Sequence, residues 1–190
     1  MAICGPTCAG TNPLPASYTG GCGITTRPGG IKRIWFATCD QLVEWDLGSQ
    51  SAWNDAQQAG NVVGSGLLMG QKGKGSFTKK RISSCSPEGI IGGEKSITFM
   101  DYNTDTVTSP GPGCLAYDFW NQILTHSGDY RLIYETCDGY IYGYIDNFTI
   151  EIDEVIEDNN TGSTYFDGTI SWNDIEMVCP KHIAGGVTPI

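Results

Sequence analysis

The sequence predicts a mostly β protein, an antiparallel β-sandwich or barrel-like fold with one flanking α-helix. Several short segments alternate apolar and polar residues, which is the pattern of strands with one buried face. The 190 residues include 26 glycines, 5 tryptophans and 9 tyrosines, a composition typical of turn-rich β proteins. A chain of this length forms one domain that buries about 70% of its unfolded surface.

The chain ends differ in composition from the segment between them. Residues 1–30 are rich in Gly, Pro, Thr and Cys without periodicity, and they predict an extended N-terminal arm that lies on a neighbouring subunit. A mobile tail is the alternative. Residues 31–178 form the single β-sandwich domain, and residues 179–190 an irregular C-terminal tail.

The domain begins with a strand. Ile31–Thr38 alternates, which places Ile34 and Phe36 on one face and Trp35 on the other. Leu42–Trp45 is predicted to be the partner strand.

The next segments carry weaker signals. Residues 49–60 fit a short helix, with Ser49 or Ser51 as the N-cap and Gly60 as the stop. Residues 60–75 are rich in glycine and predict a long loop.

A long hairpin is predicted over about 76–102, from strands Ser76–Ser83 and Glu94–Tyr102. A basic cluster lies in and before its first strand, and it is the candidate assembly interface: Lys72, Lys74, Lys79, Lys80 and Arg81. Lysines that protect a sheet edge are the alternative. The functional reading is a docking surface for the acidic half of another copy.

One segment has strong helical periodicity, Cys114–Thr125, with the helix spanning about 114–126 and Gly128 as its stop. Its apolar stripe consists of Ala116, Phe119, Trp120, Ile123 and Leu124. Such a stripe is predicted to be core rather than a ligand site, packed on the apolar face of the strands that follow.

The stretch Asp129–Met177 predicts a four-stranded antiparallel meander. Tyr130–Thr136 alternates, and Asp138-Gly139 follows, a strong hairpin signal because both turn residues need positive φ. The second strand carries three tyrosines that are predicted to share one face: Tyr140, Tyr142 and Tyr144.

The last two strands of the meander supply further predicted core residues: Phe148, Ile150, Ile152, Ile170 and Trp172. In the third strand the alternation slips where Glu154 precedes Val155, which predicts a bulge or a strand end.

Charge is distributed unevenly around a net value of −10. Residues 1–95 hold nine Lys/Arg and six Asp/Glu, whereas residues 96–190 hold two and fifteen. The candidate acidic lumen or interface is Glu151, Asp153, Glu154, Glu157 and Asp158. Such a surface repels nucleic acid, and the alternative role is solubility.

No motif indicates catalysis, so the chain is predicted not to be an enzyme and to use no cofactor and no metal. The eight cysteines allow four disulfides or buried free thiols: Cys4, Cys8, Cys22, Cys39, Cys85, Cys114, Cys137 and Cys179. Glu151 and Asp153 share one strand face, as a calcium site or glycosidase pair would, but chance adjacency explains them. No apolar run approaches the ~20 residues of a membrane helix.

The order of these elements resembles a tailed-bacteriophage virion protein, most closely a major tail (tail tube) protein, over residues 31–178. The resemblance rests on the arm, the first strand pair, the long hairpin, the helix and the closing meander. The segments Tyr134-Glu-Thr-Cys-Asp-Gly139 and Phe166-Asp-Gly-Thr-Ile-Ser-Trp172 are similar in style to the C-terminal half of such proteins.

The resemblance implies a self-assembling subunit of stacked hexameric rings, with an acidic lumen for DNA passage. The implied partners are further copies of itself, other virion proteins and DNA in transit, with no membrane. The implied location is the virion tail, assembled in the host cytoplasm. The alternatives are a capsid decoration or head–tail adaptor protein, or a secreted, disulfide-containing carbohydrate-binding module that would use the tyrosine face.

Overall fold

The computed structural model describes residues 29–39, 45–81, 88–103, 115–158, 163–174 and 178–190. These residues form one large antiparallel sheet that is not closed into a barrel, together with two α-helices. The predicted mostly β class is confirmed.

The strands in chain order are β1 (Ile31–Thr38), β2 (Val62–Gly64), β3 (Met69–Lys72), β4 (Ser76–Arg81), β5 (Glu88–Asp101), β6 (Tyr130–Thr136), β7 (Tyr140–Ile145), β8 (Phe148–Ile156), β9 (Thr164–Asn173) and β10 (Lys181–His182). The helices are α1 (Gln50–Gln58) and α2 (Leu115–Thr125), and a 3-10 turn follows α2 at Ser127–Asp129. The sheet order is β10-β7-β6-β1-β3-β5-β9-β8, with β2 beside β1 and β4 beside β5.

The predicted four-stranded meander is wrong, because its two hairpins lie apart in the sheet. β6 pairs with β7 and β8 pairs with β9, but β1, β3 and β5 separate the two hairpins. Asn147, with a φ of 54°, lies in the connection between β7 and β8. The local pattern predicted the strands, whereas long-range pairing of β1 with β6 and of β5 with β9 determines their neighbours.

β1 lies at the centre and buries both faces, which divides the core into two clusters. Ile34 and Phe36 enter the cluster that contains Trp120 of α2, called here the α2-side core. Trp35 enters the cluster that contains Trp53 of α1, called here the α1-side core.

The sheet folds over the α2-side core, so that strands distant in the sheet order meet across it. The Phe36 ring on β1 lies 5.8 Å from that of Phe148 on β8, and the Tyr134 ring on β6 lies 6.3 Å from that of Trp172 on β9. This arrangement accounts for sandwich-like packing within one sheet.

α2 buries a narrower stripe than the sequence predicts. Trp120 and Ile123 are buried, and Phe119 is partly buried against the same core. Trp120 stacks on Phe99 at 5.1 Å and donates through Nε1 to Asp101 at 3.0 Å. Leu124 is 38% exposed and was wrongly predicted to be core, because only the Trp120–Ile123 side of the stripe turns inward.

β8 pairs with β9 over its whole length without interruption. Its register with β9 runs without a break to Ile156 opposite Thr164, so neither the bulge nor the strand end predicted at Glu154 is found there. Phe148 at the start of the strand is buried. Ile150 and Ile152 are only partly buried, because β8 is the last strand of the sheet.

The predicted tyrosine face is also wrong. Tyr142 packs with the α2-side core, whereas Tyr144 packs with the α1-side core. The cause is an irregular register, in which Leu132 pairs with Ile145 and Tyr134 with Tyr142, so β7 carries one extra residue. The carbohydrate-binding alternative therefore loses the tyrosine face, one of the two observations that favoured it.

Residues 60–75 contain β2 and β3, so the predicted loop is wrong there. Gly64 of β2 lies under the Trp35 ring, where a Cβ would come 2.5 Å from Cε3. Because this close approach requires glycine, the strand lacks the side-chain pattern by which a strand is predicted. The helix predicted over 49–60 is confirmed as α1, with the Ser49 side chain accepting from the amide of Ala52. Leu42–Trp45 falls almost entirely outside the described residues.

A buried carboxylate fixes the C-terminal segment against β6. Glu135 is fully buried and lies 2.9 Å from Lys32 Nζ, and it accepts from Trp35 Nε1 at 3.2 Å and from the amide of Val187 at 2.8 Å. Arg33 donates to the carbonyl of Val187 at 3.2 Å, and burial lowers the pKa of Arg33 while Glu135 opposes that shift. The segment predicted as an irregular tail is therefore packed on the domain.

Candidate assembly surface

A two-stranded ribbon extends the sheet at β4 and the first half of β5. The pairing runs from Ser76 opposite Glu94 to Arg81 opposite Glu88, and β9 reaches β5 only as far as Glu94. A hairpin is present within the predicted range, but β4 pairs with residues 88–94, whereas most of the predicted second strand, Glu94–Tyr102, pairs with β3 and β9. The tip of the hairpin lies outside the described residues. Every residue of β4 is exposed, so the ribbon has little core of its own.

The ribbon combines exposed apolar side chains with cations. Phe77, Ile90 and Ile91 are 49%, 51% and 57% exposed. The register shifts between Thr78 and Lys79, which leaves Ile91 as the extra residue of a bulge. An isolated ribbon is marginally stable in water, and clustered exposed apolar residues indicate an interaction surface.

The predicted basic cluster divides into parts. Lys79, Lys80 and Arg81 lie together on the ribbon, and within the described residues none of them forms an ion pair. Lys74 lies between β3 and β4, and Lys72 lies on β3 with its ammonium 6.0 Å from the centre of the Trp172 ring. The structure therefore does not bring Lys72 together with the three ribbon cations.

An acidic strand, β8, forms one end of the sheet order. Among the described strands, β8 pairs only with β9, so its other edge is open. Glu151 and Asp153 are exposed on the face turned away from the α2-side core, and Asp167 of β9 lies opposite Asp153. Glu154 is on the other face, where it accepts a hydrogen bond from the Tyr117 hydroxyl of α2.

The remaining predicted acids follow β8 directly. Glu157 and Asp158 are exposed, and Glu157 accepts from the amide of Ser163 at 3.1 Å. The pKa of Tyr165 is raised by desolvation first, then by Glu157, Tyr102 and Asp167. In the part of the chain that the structure describes, no group of three His, Cys, Asp or Glu side chains is arranged to hold a metal ion.

The three cysteines within the described residues lie on the surface. Cys137 and Cys179 are exposed free thiols, and Cys39 is exposed. Of the two alternatives, buried thiols are therefore wrong for these positions. The other five cysteines lie outside the described residues.

Comparison with known proteins gives no match for the chain. No family model matches the chain, and neither the curated proteins nor the solved structures include a match. No helix in the described ranges is long and apolar enough to span a membrane.

Sequence reasoning placed the charges but missed the apolar part of the ribbon. The signal was present in Gly89-Ile-Ile-Gly-Gly93, where two large aliphatic residues lie between glycines in a strand. Flanking glycines offer little neighbouring side chain to cover them, so exposure of Ile90 and Ile91 follows.

Proposed function

We propose that the protein is a self-assembling structural subunit of a phage virion, a tail tube protein whose copies join end to end. The observation that carries this proposal is the pair of sheet edges of opposite charge. The β4 edge carries Lys79, Lys80 and Arg81 without an acid, and the β8 edge carries Glu151, Asp153 and Glu154 without a base.

Open edges favour pairing with another chain. Each edge presents unpaired backbone donors and acceptors, and natural proteins cover or blunt such edges unless they are used. The two edges here are different surfaces of one molecule, so a contact between them is heterologous and repeats from copy to copy. Opposite charge selects the β4–β8 contact over β4–β4 and β8–β8, because like charges repel.

Closure of that repeat gives rings, and the resemblance to tail tube proteins suggests hexameric rings that stack. Exposed Phe77, Ile90 and Ile91 supply apolar area that a charged contact alone lacks. The excess of acids over residues 96–190 suits a lumen that DNA crosses without binding, since carboxylates repel phosphate. Other virion proteins would bind the ends of the tube in the virion tail.

Electron microscopy with matched charge reversals tests the proposal. The unmodified chain is expected to form long hollow rods, and Lys80→Glu is expected to abolish them. Lys181→Glu is the control, because Lys181 is also an exposed strand lysine but lies on β10. Rods formed equally by both variants would show that the ribbon is not part of the contact. Single rings or caps would favour an adaptor or capsid decoration protein.

A further inference from the structure

Two cavities on the inner side of the sheet meet at the same three side chains. One, of about 220 Å³, is lined by Trp172, Ile145, Lys72, Tyr134 and Tyr142 among others. The second, also of about 220 Å³, shares the last three of these residues. The ribbon cations do not line either cavity, so this site is distinct from the proposed assembly surface.

Aromatic rings and one cation meet where the two cavities join. Tyr134 is 5% exposed and lines both cavities. Tyr142 stacks on it with ring centres 4.8 Å apart and an interplanar angle of 6°. Within the described residues, Lys72 forms neither an ion pair nor a hydrogen bond, and its ammonium lies over the Trp172 ring at 6.0 Å. A cavity with aromatic walls and a few converging polar groups is a candidate binding site.

The charge balance in the first cavity is positive. Lys95 is 8% exposed and pairs with Asp174 at 2.8 Å, so that cation is compensated. Lys72 adds a second cation, so two lysines and one aspartate line this cavity. The pKa of Lys72 is lowered by desolvation first and by Lys95 second, while Asp174 opposes both. Burial and Tyr142 raise the pKa of Tyr134, so its phenol is a hydrogen-bond donor at neutral pH.

We infer that this site binds a small carboxylate that carries a single aromatic ring. The carboxylate would accept from Lys72 and from the tyrosine hydroxyls, and the ring would lie against Trp172 and Ile145. Aromatic pairs favour such stacked or tilted arrangements. The volume is below the ~300–1,000 Å³ of sites for drug-sized ligands, which favours one ring over a dinucleotide.

Isothermal titration of the full chain with phenylacetate tests the inference. Phenylacetate is expected to bind at least tenfold more tightly than its neutral amide, phenylacetamide, or the cation 2-phenylethylamine. Lys72→Gln is expected to weaken phenylacetate binding at least tenfold, whereas Lys72→Arg retains it within about threefold. Lys80→Gln is the matched control, because it removes one exposed lysine from the ribbon and should change binding less than twofold.

Three outcomes would overturn the inference. These are no measurable binding of phenylacetate to the unmodified chain, equal binding of the acid and the amide, and equal losses in Lys72→Gln and Lys80→Gln. Lys72 is exposed, so its variants are expected to fold, and a thermal melt of each verifies that. If phenylacetate does not bind but a peptide with an acidic side chain binds in a Lys72-dependent way, the cavity is a binding site for a protein partner and the inference is wrong.

Discussion

The centre of the sheet and its open edges at β4 and β8 are built on opposite principles. β1 and β6 bury side chains on both faces, including Ile34, Trp35 and Ile133, and they enclose one carboxylate in a network of donors. β4 exposes every residue, and β8 exposes most of its charges. Buried contacts are therefore concentrated in the centre, and the proposed contacts with other copies lie at the edges. Substitutions in the two regions should separate these properties.

The largest expected effect on stability comes from the α2-side core. Trp120→Ala removes the ring that stacks on Phe99 and leaves buried Asp101 without the indole donor. We expect a loss of about 3–5 kcal/mol in the free energy of unfolding, measured by urea denaturation. Leu124→Ala on the same helix should cost less than about 1 kcal/mol. Similar losses in both variants would contradict the placement of the helix stripe.

The buried carboxylate gives the next effect. Glu135→Gln keeps the shape of the side chain but leaves Lys32 and Arg33 without their anion. We expect the free energy of unfolding to fall by about 3 kcal/mol. Glu151→Gln, which neutralises an exposed acid on β8, should change it by less than about 0.5 kcal/mol. An unchanged free energy of unfolding in Glu135→Gln would show that Lys32 and Arg33 are solvated without the carboxylate.

A smaller effect is expected where the C-terminal segment turns. Gly185 and Gly186 both have positive φ, at 81° and 82°, so alanine strains each to a similar degree. A Cβ at Gly186 would also collide with the Glu135 carboxylate and with Lys32 Nζ, whereas nothing lies near a Cβ at Gly185. We expect Gly186→Ala to cost about 1–3 kcal/mol more than Gly185→Ala. Equal losses in urea unfolding would mean that the segment yields without disturbing Glu135.

Sequence reasoning succeeded where the signal is local. Alternation in Ile31–Thr38 and helical periodicity near Trp120 specify an element from neighbouring residues alone. It failed where contacts between distant segments determine the position of a strand or side chain. The predicted meander is two separate hairpins, because β6 pairs with β1 and β9 pairs with β5. The extra residue in β7 places Tyr144 in the α1-side core.

The candidate sites show the same division. Exposed charges such as Lys80 and Glu151 follow from strand position and were predictable. The cavity at Lys72 depends on contacts between residues far apart in the chain, such as the Tyr134 and Trp172 rings at 6.3 Å, which no local pattern encodes.

Mixing two charge-reversed variants tests the central claim most directly. Lys79→Glu/Lys80→Glu makes both edges acidic, and Glu151→Lys/Asp153→Lys makes both edges basic. Each variant alone should fold but stay unassembled in sedimentation velocity, because its edges repel. An equimolar mixture should assemble into alternating copies, since every contact then joins opposite charges. Failure of the mixture to assemble, or assembly of either variant alone, would contradict the account.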